Sequence, residues 1–344
     1  MTVPERPLSK LGFLTIGLFD EDEPAAGHEN TLRMIELGES LGFDSAWLRD
    51  RHLQHGISSP VAVLAAATQR TSRIELGTAV IPLGLENPFR LAEDLATVDV
   101  LSGGRLNPGS AWGLPPTTTT SSSTSTRTAG TRRTSAARAC PGSCTTCAAN
   151  RSARSPAGRA SRRTRGASSR TRRAGRPRLV RGGRTGLRRV GGEQGLNLLT
   201  SSVVRAEEDD DFARVQRSHI LRFRERHPLG ERARVSQGLV VIPTDSATPA
   251  QRRKYEEYAR GRLARTTAPQ GPGRLLFAPD LVGSSERIAQ ALAEHAGFQQ
   301  VDEVVFALPF TFEYEDYEQI LTDTATRLGP LLGWTPAGRG GQGA

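Results

Sequence analysis

Residues 74–112, IELGTAVIPLGLENPFRLAEDLATVDVLSGGRLNPGSAW, constrain the fold more than any other stretch of this 344-residue chain. An apolar run comes first, then a loop with Pro82 and the pair Asn87-Pro88. An amphipathic helix, a Ser102-Gly103-Gly104 stop and a second strand-like run follow. This is a β-α-β unit, because parallel strands need a crossover of about this length and a helix supplies it. Ile74, Leu76, Thr78 and Val80 line one face of the first strand, and Ala79 and Ile81 keep the other apolar, as where helices cover a sheet. In the helix, Leu91, Leu95, Val98 and Leu101 recur at the 3.6-residue period and predict its inward side.

The same grammar extends along the chain. Strands are expected at 11–19, 43–48, 74–80, 105–112, 196–200, 235–242 and 302–309. Helices are expected at 28–41, 61–71 (with Pro60 as its first residue), 211–227, 249–264, 284–295 and 317–332. Residues 20–27 read as an acidic loop and 271–280 as a loop able to cover a cleft. Up to Gly113 the order is βαβαβαβ, with spacings that suit right-handed crossovers. Seven strands are legible, and an eighth has to lie in residues 114–190. The expected fold is therefore α/β, a (β/α)8 TIM-type barrel, incomplete or disrupted in the middle. A doubly wound sheet is second, weakened by the absence of GxGxxG after the first strand.

Residues 114–190 break the pattern. They hold 19 Arg with no Lys, Asp or Glu, and 25 of the 77 are Ser or Thr. They contain no Phe, Tyr, Trp, Met or Ile, so they cannot bury enough apolar surface to offset the entropy of ordering. The formal charge of +10 comes wholly from them, since the rest of the chain carries 27 basic and 36 acidic side chains. Cys140, Cys144 and Cys147 also fall there and say nothing about the main fold. A disordered basic insert and a nucleic-acid-binding segment are two readings. The third, favoured as a hypothesis, is a shifted reading frame of a GC-rich gene, which yields runs such as Thr117–Thr120 beside Arg, Ala, Gly, Pro and Ser. On this reading residues 1–334 form one barrel domain interrupted by 114–190, and 335–344 are a disordered tail. No run of 18 apolar residues and no apolar signal core occur, and a cytoplasmic enzyme is expected.

In a barrel, chemistry sits on the loops after the strands. Those loops carry apolar and aromatic surface, hydroxyls and one ionisable cluster, Arg49, Asp50, Arg51 and His52, which suits a flat conjugated ligand fixed by a few polar groups. His52 is the candidate for acid–base work, histidine being the side chain whose ordinary pKa lies near neutrality; a loop histidine bonded to Asp50 is the alternative. Thr78 lies beneath a ring system or packs in the core, and Trp112 walls a pocket or fills a barrel end. No metal site is expected from the spacing of His, Cys, Asp and Glu, and no GxSxG turn is present.

Several motifs together resemble one family. They are Gly42-Phe43-Asp44-Ser45-Ala46-Trp47, Arg51-His52, the run from Arg73 to Val80 (RIELGTAV), Asn87-Pro88 with Ala92-Glu93-Asp94, and Leu101-Ser102-Gly103-Gly104-Arg105. This set resembles the bacterial-luciferase-like flavin-dependent monooxygenases, closely over 10–113 and in general order over 192–334. The resemblance implies a TIM-type barrel, reduced FMN (or the deazaflavin F420) as cofactor, and often a homodimer. It implies that reduced flavin and O2 oxygenate a small organic substrate, one oxygen atom entering the substrate and the other leaving as water, with a flavin reductase as a possible supplier. F420-dependent hydride transfer is the alternative activity; an inactive product or a basic nucleic-acid binder is the second. The family commonly has an acid and two histidines after the second strand. Here Asp50 matches the acid, Arg51 replaces the first histidine and His52 matches the second. Ala79 and Val80 match the place of an unusual cis peptide beneath the flavin. Ala79 and Val80 from the resemblance, with Thr78 and Trp112 from the reading of the strand ends, are the expected cofactor-binding residues, His52 the catalytic one, and Trp112 with the aromatic stretch 310–314 the shapers of the substrate side.

Overall fold

The computed structural model describes residues 7–52, 55–111, 179–181, 193 and 195–337. The chain divides into two units, one made of Met1–Gly113 and Pro177–Ala344, the other of Leu114–Arg176. The barrel belongs to the first.

Its strands are β1 (Lys10–Thr15), β2 (Ser45–Leu48), β3 (Glu75–Pro82), β4 (Leu106–Ala111), β5 (Leu179–Arg181), β6 (Asn197–Leu199), a short β7 (Val203–Arg205), β8 (Val235–Pro243), β9 (Leu275–Phe277), β10 (Leu281–Gly283) and β11 (Glu303–Ala307). The helices are α1 (Pro24–Leu41), α2 (Pro60–Thr68), α3 (Pro88–Leu101), α4 (Phe212–Arg226), α5 (Pro249–Leu263), α6 (Ser285–Glu294) and α7 (Tyr314–Asp323). Among the described residues eight strands pair in parallel around a ring: β1, β2, β3, β4, β5, β6, β8, β11 and back to β1. This is the expected α/β barrel, and the eighth strand does fall inside 114–190. The ladders β4–β5 and β6–β8 are two residue pairs long, against five for β1–β11.

Local chemistry accounts for most element ends. Asn87 caps α3 by accepting hydrogen bonds from the Phe89 and Arg90 N–H groups, and Pro88 sits where its missing N–H costs nothing. Gly42, at φ 93°, ends α1 in the left-handed conformation that a side chain resists. One turn earlier, the Glu39 carboxylate accepts the backbone N–H groups of Ser72, Arg73 and Ile74 at 2.8–2.9 Å, which fixes where β3 enters the barrel.

Some expectations are corrected. Helix α1 starts at Pro24, within the stretch read as an acidic loop, because proline at the first helical position suits it to an N-terminus. Leu101 is 51 % exposed although its spacing fits the inward stripe; Leu91 and Val98 carry the burial. Within 271–280 lies β9, antiparallel to β7, and the closing helix passes through a π turn at Thr324–Leu328.

The larger apolar cluster brings strand residues such as Leu11, Phe13, Leu48 and Leu76 together with helix residues such as Ile35, Leu64 and Val98. A second, smaller cluster gathers Leu14, Trp47, Ala79, Leu199 and Val305, from five different strands. Alternation along each strand sends these residues to the opposite face from the first set, into the barrel. Trp47 is fully buried and donates its indole N–H to Ser45 Oγ at 2.9 Å. Its register partner is Gly77, where an added Cβ would stand 2.2 Å from the indole ring.

Candidate active site

At the N-terminal end of the strands, Arg234 bonds Glu303 at 2.5 and 2.8 Å and Glu75 at 2.8 Å, while Lys10 reaches Glu75 at 2.8 Å. Burial alone would raise the Glu75 carboxyl, yet Arg234 and Lys10 overcome it and hold the pKa down at about 2. A polar cavity of about 510 Å³ adjoins this network. The four charges of the network pair with one another, and the N-terminal face of such a barrel is the one that serves stability.

At the other end the strands open onto a cleft. Leu14, Ala79, Leu199, Val240, Val305 and Ala307 give it an apolar base, Thr200, Ser201 and Ser202 a hydroxyl wall, and Arg49 and Phe310 a rim. The Ala79–Val80 peptide is cis, at the position the resemblance implied. Gly238 also lines the cleft, and a Cβ there would stand 2.9 Å from the Thr200 carbonyl oxygen. The hydroxyl wall is braced from behind: the fully buried Gln216 of α4 donates to Thr200 Oγ1 (3.0 Å) and to the Ser201 carbonyl (3.2 Å). Gln237 on β8 donates in turn to Gln216 Oε1 at 2.6 Å. Sequence reasoning missed this pair. Two glutamines on apolar faces are the only signal, and it becomes informative once a buried amide must find partners.

The proposed site residues separate. Ala79 is in the cleft. Val80, on the far side of the cis bond, is half-buried. Thr78 is fully buried, and its hydroxyl donates to the Gly109 carbonyl (2.8 Å) and accepts from the Gly109 N–H (2.9 Å), so it ties β3 to β4. Of the aromatic stretch, Phe310 is at the rim between the guanidinium groups of Arg51 (5.5 Å) and Arg262 (5.4 Å). Phe312 stacks instead on Tyr255 at 5.0 Å. Trp112, the three cysteines and nearly all of the Arg-rich segment lie outside the described residues.

His52 follows β2 on the same rim, with its Nε2 3.3 Å from Asp50 Oδ1. Glu86, from the turn before α3, joins them, so that one donor atom from each of the three lies within 4.8 Å of the others. Burial pushes the Asp50 carboxyl up to about 6, with His52 opposing the rise and Glu86 adding to it. Spacing along the chain could not show this trio, because Glu86 arrives from the next strand's loop.

A parallel barrel whose cleft opens at the strands' C-terminal ends, apolar at the base and hydroxyl-lined at one wall, defines a TIM-type barrel with its cleft on the face where such barrels carry their chemistry. The chain belongs to the luciferase-like monooxygenase family, whose model matches residues 10–300. It is 39 % identical over 89 residues to limonene 1,2-monooxygenase of Rhodococcus erythropolis, a match covering 25 % of this chain and 23 % of that protein. The chain spans about a quarter to a third of the length of the curated relatives it matches. Among solved structures, monooxygenase RslO1 from Streptomyces bottropensis superposes with a TM-score of 0.64 at 18 % identity, covering 93 % of this chain and 99 % of that one. The oxygenating constituent of 3,6-diketocamphane monooxygenase from Pseudomonas putida, solved with FMN, gives 0.56 at 14 % identity, covering 94 % and 98 %. At these identities the structures establish the shared fold.

Proposed function

We propose that the chain is a flavin-dependent monooxygenase that uses reduced FMN and O2 on a small organic substrate. The observation that carries this reading is the cleft itself: an apolar base reaching to Ala79 at the cis peptide, with hydroxyls along one edge. These residues fit a flat ring system with a polar margin. When bound, reduced flavin supplies the electrons that activate O2. The chain's own part is to seat the ring on Ala79 and Val80, to keep the β3–β4 backbone rigid beneath it through Thr78, and to exclude water with Leu14, Val240, Val305 and Phe310. Trp112 is proposed to complete the cofactor wall. His52 is proposed to move the proton that the reaction requires: its Nε2 is buried against Asp50, so the 26 % exposure of its side chain belongs to its other atoms.

We further propose a homodimer through α3, which leaves Phe89 (73 %), Val100 (73 %) and Leu101 (51 %) exposed. A separate reductase would supply reduced flavin in the cytoplasm; among the described residues no helix is long and apolar enough to cross a membrane.

The test is an anaerobic titration of the full chain with reduced FMN and, in parallel, reduced F420, followed by admission of O2. Saturable FMN binding with oxygen uptake is expected. Tight F420 binding without oxygen uptake would replace the monooxygenase reading with hydride transfer. In the same assay, His52→Gln should leave FMN affinity unchanged and lower turnover at least about 100-fold, the usual size of a lost acid–base group.

A further inference from the structure

We propose that Asp50, His52 and Glu86 form a binding site for a first-row divalent cation on the rim of the barrel. This goes beyond the flavin reading and does not depend on it: with the ion bound His52 serves as a ligand, and its proton-moving role belongs to the metal-free protein. The three side chains converge from two loops, Asp50 and His52 from the end of β2 and Glu86 from the turn that precedes α3. Their donor atoms all lie within 4.8 Å of one another. Opposed ligands on one ion with bonds of about 2.1 Å stand roughly 4.2 Å apart, so small side-chain rotations close the set.

A second observation points the same way. The Asp50 side chain is only 1 % exposed, and among the described residues neither carboxylate oxygen makes a well-formed hydrogen bond, the Arg51 backbone N–H being the donor that stands beside it. The His52 Nε2 facing it at 3.3 Å is equally buried and makes no hydrogen bond. Buried carboxylates ordinarily collect donors. Here the groups that gather around this one are an imidazole nitrogen and a second carboxylate, both of which bind cations.

The donor set narrows the ion. One imidazole nitrogen and two carboxylates, with no thiolate, suit Mn2+, Fe2+ or Zn2+ better than Ca2+, which favours all-oxygen sites, or Cu+, which favours sulfur. Three protein ligands leave coordination positions open to water or to a substrate group. Arg49, one residue before Asp50, lines the cleft, so an ion held here borders it.

The probe is Mn2+, because Cys140, Cys144 and Cys147 elsewhere in the chain would compete for Zn2+. The full-length protein, freed of flavin and metal, is titrated with Mn2+ while the electron paramagnetic resonance signal of the free ion is followed. One equivalent bound is expected. Glu86→Gln, on a partly exposed turn whose loss does not threaten folding, should weaken binding at least tenfold, and Asp50→Asn should do the same. Glu93→Gln, removing an exposed carboxylate of α3, should change nothing. Absence of stoichiometric Mn2+ binding, or binding equally tight in both cluster variants and the parent, overturns the site and leaves a metal-free His52–Asp50 ion pair in its place.

Discussion

At Gly77 a hydrogen atom is the largest side chain the barrel admits. Trp47 occupies the space in front of it, and a methyl group would land 2.2 Å from the indole ring. Gly77→Ala is therefore expected to lose about 1–3 kcal/mol, the usual cost of overpacking, in a denaturant titration read by far-UV circular dichroism. An unchanged midpoint would mean that Trp47 has room to shift. The same residues show what a sequence discloses and what it hides. Ser45-Ala46-Trp47 and Gly77-Thr78-Ala79 were readable as strand text, and Ala79 proved to be in the cleft. That Thr78 is bonded to the Gly109 backbone was not readable, since it depends on which strand lies alongside β3. Nor was the meeting of Glu86 with Asp50 and His52, which is decided by where a loop folds back.

Elements, rather than residues, carry the acid stability of the molecule. Strands β1, β3 and β11 and the residue just before β8 each contribute one member of the Lys10–Glu75–Glu303–Arg234 network. Glu75 is held at about 2, below its ordinary value of 4.5, so the folded state binds its proton later than the unfolded chain does. Its contribution to stability is complete above about pH 4.5 and is lost as the pH falls through that window towards 2. Glu75→Gln should flatten the stability profile across this interval, measured as urea midpoints at successive pH values. Arg234→Met should cost about 3–5 kcal/mol at neutral pH, because it takes from the buried Glu303 carboxylate the cation that pairs with it and leaves Glu75 with Lys10 only. Helix and strand order was legible because apolar periodicity is local. The position of this network was not, since salt-bridge partners up to 159 residues apart meet only when the ring closes.

For the whole molecule, the proposed dimer has a direct measure. Sedimentation velocity of the parent chain should report twice the monomer mass, and Phe89→Glu with Val100→Glu should return it to a monomer without changing FMN affinity. A parent that sediments as a monomer would exclude this assembly. The interruption at 114–190 is proposed to be out-of-frame text, in which case the alternative frame of the coding DNA across it should restore acidic residues and strand–helix periodicity. A frame lacking both would make the Arg-rich segment a true insert. The barrel itself bears the mark of that interval. Among the described residues β5 is three residues long and meets β4 at Gly109 and Ser110. Breathing motions should begin there, so amide deuteration ought to run ahead on the lips of that joint while β1 and β11, bound by five rungs, stay dark.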